Sequence, residues 1–295
     1  MSTYAVTSEV LDTATVLQVV VEDAALTEWE LHAPTGLLQR TGTVTLRLAD
    51  VLAGDVTDPV GTVVTVPVLL LSPQGARPSD VHGLWAHLPA DAGARLVAFS
   101  DPTPDLTAAL TEPLCHRLTP SGPVLADLRL ALRLKAAHPT ADRLLAAAEQ
   151  HRADAGGVFA RYVWVAAREA LRTDAGRFDR LMSVADDPAT RAEAQLAYLV
   201  SAYEDVTFSE AFPDGHRARL ARAMLRSALD ERLATRRHDL LAVYLPNLLS
   251  VPEPLPADDV LGPDPGLRDA VRAELADPRD PTTTSPALRA WLGEG

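Results

Sequence analysis

Thr43-Val44-Thr45-Leu46-Arg47-Leu48 alternates strictly: Val44, Leu46 and Leu48 fall on one side of an extended chain, and Thr43, Thr45 and Arg47 on the other. A period of two specifies a strand with one face against a core. The reading extends both ways. Upstream, Val16-Leu17-Gln18-Val19-Val20-Val21 is an apolar run of strand type. Downstream, Ala53-Gly54-Asp55 permits a reversal, and Thr62 to Leu71 brings Val64, Val66 and Val68 together. Pro67 removes a ladder donor from that run, which places it at an edge or a bulge. Gly93-Ala94-Arg95-Leu96-Val97-Ala98-Phe99 supplies a further, central strand after a long loop from Ser72 to Asp91.

Beyond the Pro-rich stretch from Pro102 to Pro123 the period becomes helical. Pro123 through Ser250 reads as about six or seven helices, with breaks near His138-Pro139, Asp154 to Gly157, Thr173 to Gly176, Asp187-Pro188 and Phe212 to Gly215. Breaks this short make successive helices antiparallel neighbours. Val158 to Leu171 carries Phe159, Tyr162, Val163, Trp164 and Val165 around most of its circumference, as a centrally buried helix does. The expected class is α+β in two domains: a β-rich, barrel-like domain over 1–120 and an all-α bundle over 121–250. A Pro-rich acidic tail over 251–295 reads as an extended linker holding two short amphipathic pieces, Gly266 to Ala276 and Ser285 to Leu292.

The order of the N-terminal strands resembles the OB-like barrel of the netrin-module or tissue-inhibitor type. The pattern is a first strand, a strand ending in Val51-Leu52-Ala53-Gly54-Asp55, a strand after Gly61, and Gly93-Ala94-Arg95-Leu96-Val97-Ala98-Phe99. The resemblance implies the architecture alone. Extracellular members of that group are stapled by disulfides that this chain cannot form, so their inhibitory activity is not implied. Asp186-Asp187-Pro188-Ala189-Thr190-Arg191-Ala192-Glu193-Ala194-Gln195-Leu196 resembles the inter-helix turn and second-helix start of a HEAT-type repeat, with the aspartates as caps and the proline in the first turn. It occurs once, so the helical half reads as HEAT-like or as an irregular bundle.

Composition narrows the chemistry. The chain has 295 residues, 47% of them hydrophobic, which suffices for two cores. Positive charge is almost wholly arginine, the signature of a GC-rich bacterial genome, and Lys135 is the one lysine. It lies in Leu132-Arg133-Leu134-Lys135-Ala136 with no Gly-rich loop before it, which argues against Schiff-base and phosphate-loop mechanisms. The lone Cys115 excludes an internal disulfide and a cysteine zinc cluster. A formal net charge of −13 opposes nucleic acid at long range and favours a basic protein partner or none. Nothing before Val16 has the form of a signal peptide, and no stretch reaches the roughly 20 apolar residues of a membrane helix, so the expected location is cytoplasmic, away from the membrane.

Each possible site has a simpler structural reading. Asp80, His82, His87 and Asp91, with Trp85, could bind a metal, but the spacing matches no zinc motif. Cys115 and His116 are neighbours, and on a strand they would point to opposite faces. Ser209, Glu210, Asp214 and His216 include the residue types of a hydrolase triad without a nucleophile elbow, and capping by Asp214 explains them more simply. The acid pairs Glu22-Asp23, Glu204-Asp205 and Asp258-Asp259 read as solvent-facing.

Two surfaces remain as candidate partner-binding positions. Arg219, Arg222 and Arg226 share one helical face, either solvated, with Arg226 pairing Asp230, or docking an acidic surface. Leu288, Trp291 and Leu292 form an apolar face that can pack on the chain itself or on a partner. The sequence therefore assigns no catalytic, metal or cofactor residue and points to a non-catalytic adaptor or scaffold for another protein. The alternatives are a hydrolase or metal-dependent enzyme with an interdomain site, and a nucleic-acid binder using the arginine helix.

Overall fold

The computed structural model describes residues 14–32, 37–73, 92–111, 114–118, 123–208, 212–251, 253–276 and 286–293. The protein is mixed α+β, with a curled antiparallel half-barrel in its N-terminal part and helices in its C-terminal part. Contacts divide it into two compact units, Met1–Ala136 and Ala137–Gly295.

In the first unit the strands are β1 (Thr15–Leu26), β2 (Glu30–His32), β3 (Leu37–Ala53), β4 (Val63–Pro73), β5 (Arg95–Ser100) and β6 (Leu114–Leu118). All described pairings are antiparallel, in the order β2-β3-β1-β5-β6, with β4 also on β3. β5 is thus interior, as its apolar run requires. The described pairing of β4 is to β3 alone, and Pro67 stands opposite Thr43. The alternation from Thr43 to Leu48 acts as its spacing dictates. Val44, Leu46 and Leu48 are fully buried, whereas Thr45 shares a 3.0 Å hydroxyl contact with Thr65 and Arg47 pairs with Glu22. The inward residues meet Leu17, Val19 and Val21 of β1 and Leu106, Ala109 and Leu110 of a short helix, α1 (Leu106–Thr111).

Three register shifts between β1 and β3 bend the long pair and curl the sheet. At Gly42 the strands come so close that a Cβ would lie 2.1 Å from the Ala25 carbonyl oxygen, which requires glycine there. Helix α2 (Pro123–Ala136) belongs to this unit, and its Arg129 pairs with Asp50 of β3.

The second unit holds α3 (Ala141–Gln150), α4 (Gly157–Thr173), α5 (Ala175–Asp186), α6 (Ala192–Phe208) and α7 (Asp214–Leu229). After these come a 3-10 turn (Glu231–Arg236), a π-helix (Asp239–Tyr244), α8 (Leu245–Ser250), α9 (Ala257–Leu261), α10 (Pro265–Ala276) and α11 (Pro286–Trp291). The helix ends fall at the breaks read from the sequence. α4 is the buried centre, with Phe159, Val163 and Trp164 at no more than 1% exposure. One local reading is corrected between α5 and α6. Helix α6 begins at Ala192, so Pro188 stands in the preceding turn, where Asp187 accepts from the Ala189 amide at 2.8 Å. Asp186 instead engages arginines of α7.

The described parts of the tail, 253–276 and 286–293, do not form an extended linker. α9 and α10 pack on α7, and α11 packs on α8, burying Val260, Leu261, Leu267, Val271, Leu275 and Leu288. Three of the prolines that suggest extension sit at helix starts: Pro256 precedes α9, and Pro265 and Pro286 open α10 and α11. A first-turn proline costs no hydrogen bond and presets φ. Among the described residues no helix is long and apolar enough to cross a membrane.

Candidate interaction face

The end of α6 carries Tyr203-Glu204-Asp205 and then Phe208, and three other elements, α4, the π-helix and α8, converge on it. From α4, the Trp164 indole donates to Asp205 Oδ2 at 2.6 Å, and Arg168 pairs with Asp205 Oδ1 at 2.7 Å. Arg161, on the same helix, donates to Ser201 Oγ at 3.0 Å and to Glu204 Oε2 at 3.3 and 3.4 Å. From the π-helix, the Tyr244 ring lies 4.9 Å from the Tyr203 ring, tilted by 55°. The Phe208 ring stands edge-on to Tyr203 at 5.7 Å, and Asn247 donates to the Tyr203 hydroxyl at 3.2 Å. Three aromatic rings and a carboxylate therefore share one face.

The π-helix has a chemical reason in Pro246. In an α-helix its ring would clash with the Ala242 carbonyl, and it has no N–H to donate there. The ladder widens instead: the Leu245 amide donates to the Leu240 carbonyl, five residues back. The wider turn carries Tyr244 against Tyr203 and leaves Val243 45% exposed. Phe208 is 72% exposed, beside rings that are largely buried.

The electrostatics are unbalanced. Burial, reinforced by the neighbouring charge of Asp205, raises the Glu204 carboxyl from its ordinary 4.5 to about 7. Burial likewise lowers Arg161 to about 10, opposed by Asp205. The contacts between Arg161 and Glu204 are long and do not overcome the loss of water around either group. Burial also raises Tyr244, with the negative charge of Asp239 adding to it. The reading of Glu204 and Asp205 as solvent-facing is thus corrected: the Asp205 side chain is 15% exposed and that of Glu204 35%.

The arginines singled out in the sequence lie elsewhere and are engaged. Arg219 and Arg226 both reach Asp186 Oδ2, at 2.7 and 3.1 Å, and Arg226 also bonds Asp264 at 2.8 Å. Arg222 donates to the backbone carbonyls of Val260 and Asp259, at 2.8 and 3.2 Å. The strip clamps the end of α5 and the C-terminal segment onto α7. Asp230 takes Arg232 rather than Arg226. Leu288 and Leu292 are buried, and the Trp291 indole donates to the Leu255 carbonyl at 2.6 Å, so this apolar face is packed on its own unit.

Of the remaining candidates, Asp80, His82, Trp85, His87, Asp91, Ser209 and Glu210 lie outside the described residues. Cys115 and His116 occupy successive positions of β6, opposite Ala98 and Val97. His216 is buried between Phe178 and Phe212 with Nε2 3.2 Å from the Leu171 carbonyl, and burial lowers its pKa. Among the described residues no group of three or more His, Cys, Asp or Glu side chains could hold a metal. No family model matches the chain, and no curated protein or solved structure does so either.

Proposed function

We propose that this is a non-catalytic, cytoplasmic protein-interaction protein, an adaptor or scaffold built from an OB-like barrel and a HEAT-like helical unit. A basic segment of another protein docks on the aromatic and acidic face at the end of α6. The observation that carries the reading is Phe208, an aromatic side chain 72% exposed beside the Tyr203 and Tyr244 rings, with Val243 exposed on the adjoining π-helix. Aromatic anchors of this kind dominate binding energy where partners meet. The partly exposed Glu204 near the rings, together with the net charge of −13, supplies the complement to a basic partner.

The test is affinity purification of the tagged full-length chain from its own host, beside a Phe208→Ser, Val243→Ser variant, followed by titration of the purified partner. Both substitutions fall on exposed positions, so stability should move by no more than about 0.5 kcal/mol. A stoichiometric partner bound at least about 30-fold more weakly by the variant is the expected result. A partner retained equally by both chains contradicts the assignment of the face.

A second reading has one observation in its favour. A cavity of about 310 Å³ lies beside His216, lined also by Arg172, Thr173, Phe178, Asp179 and Pro213. Because the Leu171 carbonyl can only accept, Nε2 carries the ring proton and Nδ1 is left as a base, an arrangement a hydrolase could use. Hydrolysis of an ester substrate lost in His216→Gln, with the fold retained, would establish this reading in place of the adaptor.

A further inference from the structure

We infer that the group received on this face is an arginine side chain of the partner, its guanidinium lying over the exposed aromatic surface of Phe208 and Tyr244 and hydrogen-bonded to Glu204. The inference rests on the interaction-face reading and names the chemistry of its central contact.

Three observations lead to it. The first is ring geometry. Tyr203 meets Phe208 at 83° and Tyr244 at 55°, so neither pair is stacked face to face, and Phe208, at 72% exposure, keeps ring surface open to solvent. An aromatic face is the electron-rich side of the ring and attracts a cation. The second is the carboxylate. Both of these bonds from Arg161 go to Glu204 Oε2. The Glu204 side chain remains 35% exposed, so a second donor can reach it from solvent.

The third is how that carboxylate is paired. Arg161 from α4, Asp205 from α6 itself and Tyr244 from the π-helix interact with it. Arg168 is committed to Asp205, together with Trp164, while the contacts of Arg161 with Glu204 are long, at 3.3 and 3.4 Å. A closer guanidinium would give Glu204 the pairing that these contacts do not, and would favour its charged form. Arginine suits this better than lysine because its flat guanidinium stacks on a ring and bonds a carboxylate at the same time.

The experiment uses the full-length protein labelled with 3-fluorotyrosine. Its five tyrosine resonances are assigned by single Tyr→Phe variants and followed by fluorine NMR. The probes are Nα-acetyl-arginine methylamide and its uncharged isostere, Nα-acetyl-citrulline methylamide. The expected result is a saturable shift of the Tyr203 and Tyr244 resonances with the arginine compound, with a dissociation constant on the order of millimolar. Citrulline should bind about tenfold more weakly, and Glu204→Gln should weaken the arginine compound by a similar factor.

Equal shifts with both compounds, lost in Phe208→Ala but not in Glu204→Gln, overturn the arginine assignment and leave an apolar interaction face. The absence of a saturable shift with either compound also overturns it. Failure of the interaction-face reading itself is recognised separately, by a partner that survives the Phe208→Ser, Val243→Ser substitutions.

Discussion

Glu204 is the residue on which the electrostatic account can be checked without any partner. Its carboxyl titrates at about 7 in the folded chain, against an ordinary value of 4.5. Between those values the folded state holds a proton that the unfolded chain releases, so this group's contribution to stability falls as pH rises from about 4.5 to 7 and is level above that. His216 acts oppositely. Burial depresses its folded pKa, so its contribution is complete above the ordinary histidine value of about 6.5 and declines as pH falls below it. The difference between the wild type and Glu204→Gln isolates the first effect, because His216 lies on another element and is common to both proteins. Urea unfolding at a series of pH values between about 5 and 8 should show stability falling with pH more steeply in the wild type than in the variant. Parallel curves would mean that Glu204 is already well solvated or well paired.

At the scale of elements, Pro246 makes a sharper prediction. Pro246→Ala restores the donor and removes the ring clash that the π-turn accommodates. The segment from Asp239 should then relax toward a regular α-helix, withdrawing Tyr244 from Tyr203. The readout is loss of the Tyr244 response in the fluorine spectrum and weaker partner binding, with the protein still folded. The arginine clamp of α7 is a second element-scale test. Arg222→Ala leaves the Val260 and Asp259 carbonyls without their guanidinium and should cost about 1–3 kcal/mol. Hydrogen exchange should accelerate in α9 and α10 before it does in α4.

Which elements could be read from the sequence follows from the range of the interactions that decide them. The strand at Thr43 to Leu48 and the breaks around α3 to α7 depend on local period and turn chemistry, and both were legible. The interaction face was not. Glu204 and Asp205 are adjacent acids until α4 brings Arg161, Trp164 and Arg168 against them, and Arg161 stands 43 residues from Glu204 and Trp164 41 from Asp205. No local period carries information over that distance. The spacing of Arg219, Arg222 and Arg226 gave their common face correctly but not what lies opposite, namely Asp186, Val260 and Asp264. Pro246 was the one local signal available for the site, a proline inside a helical run from Leu240 to Leu249.

For the whole molecule, the arginine strip of α7 is consumed by the helical unit's own architecture, while the aromatic face at the end of α6 keeps Phe208 exposed. Removing everything after Ser250 is therefore expected to do more than detach a tether. It would uncover α7 and α8 where Val260, Leu261, Val271 and Leu288 now pack, and expansion with dye binding should be detectable by scattering and fluorescence. Partner binding has to be tested with the full chain and point substitutions. The most direct measurement places a photo-cross-linking phenylalanine at position 208 of the full-length protein in its host, with the same group at Glu193, an exposed position at the other end of α6, as the comparison. The account predicts one discrete adduct to a protein with a basic segment from position 208 and none from position 193. No adduct at 208, or the same adducts from both positions, would contradict it.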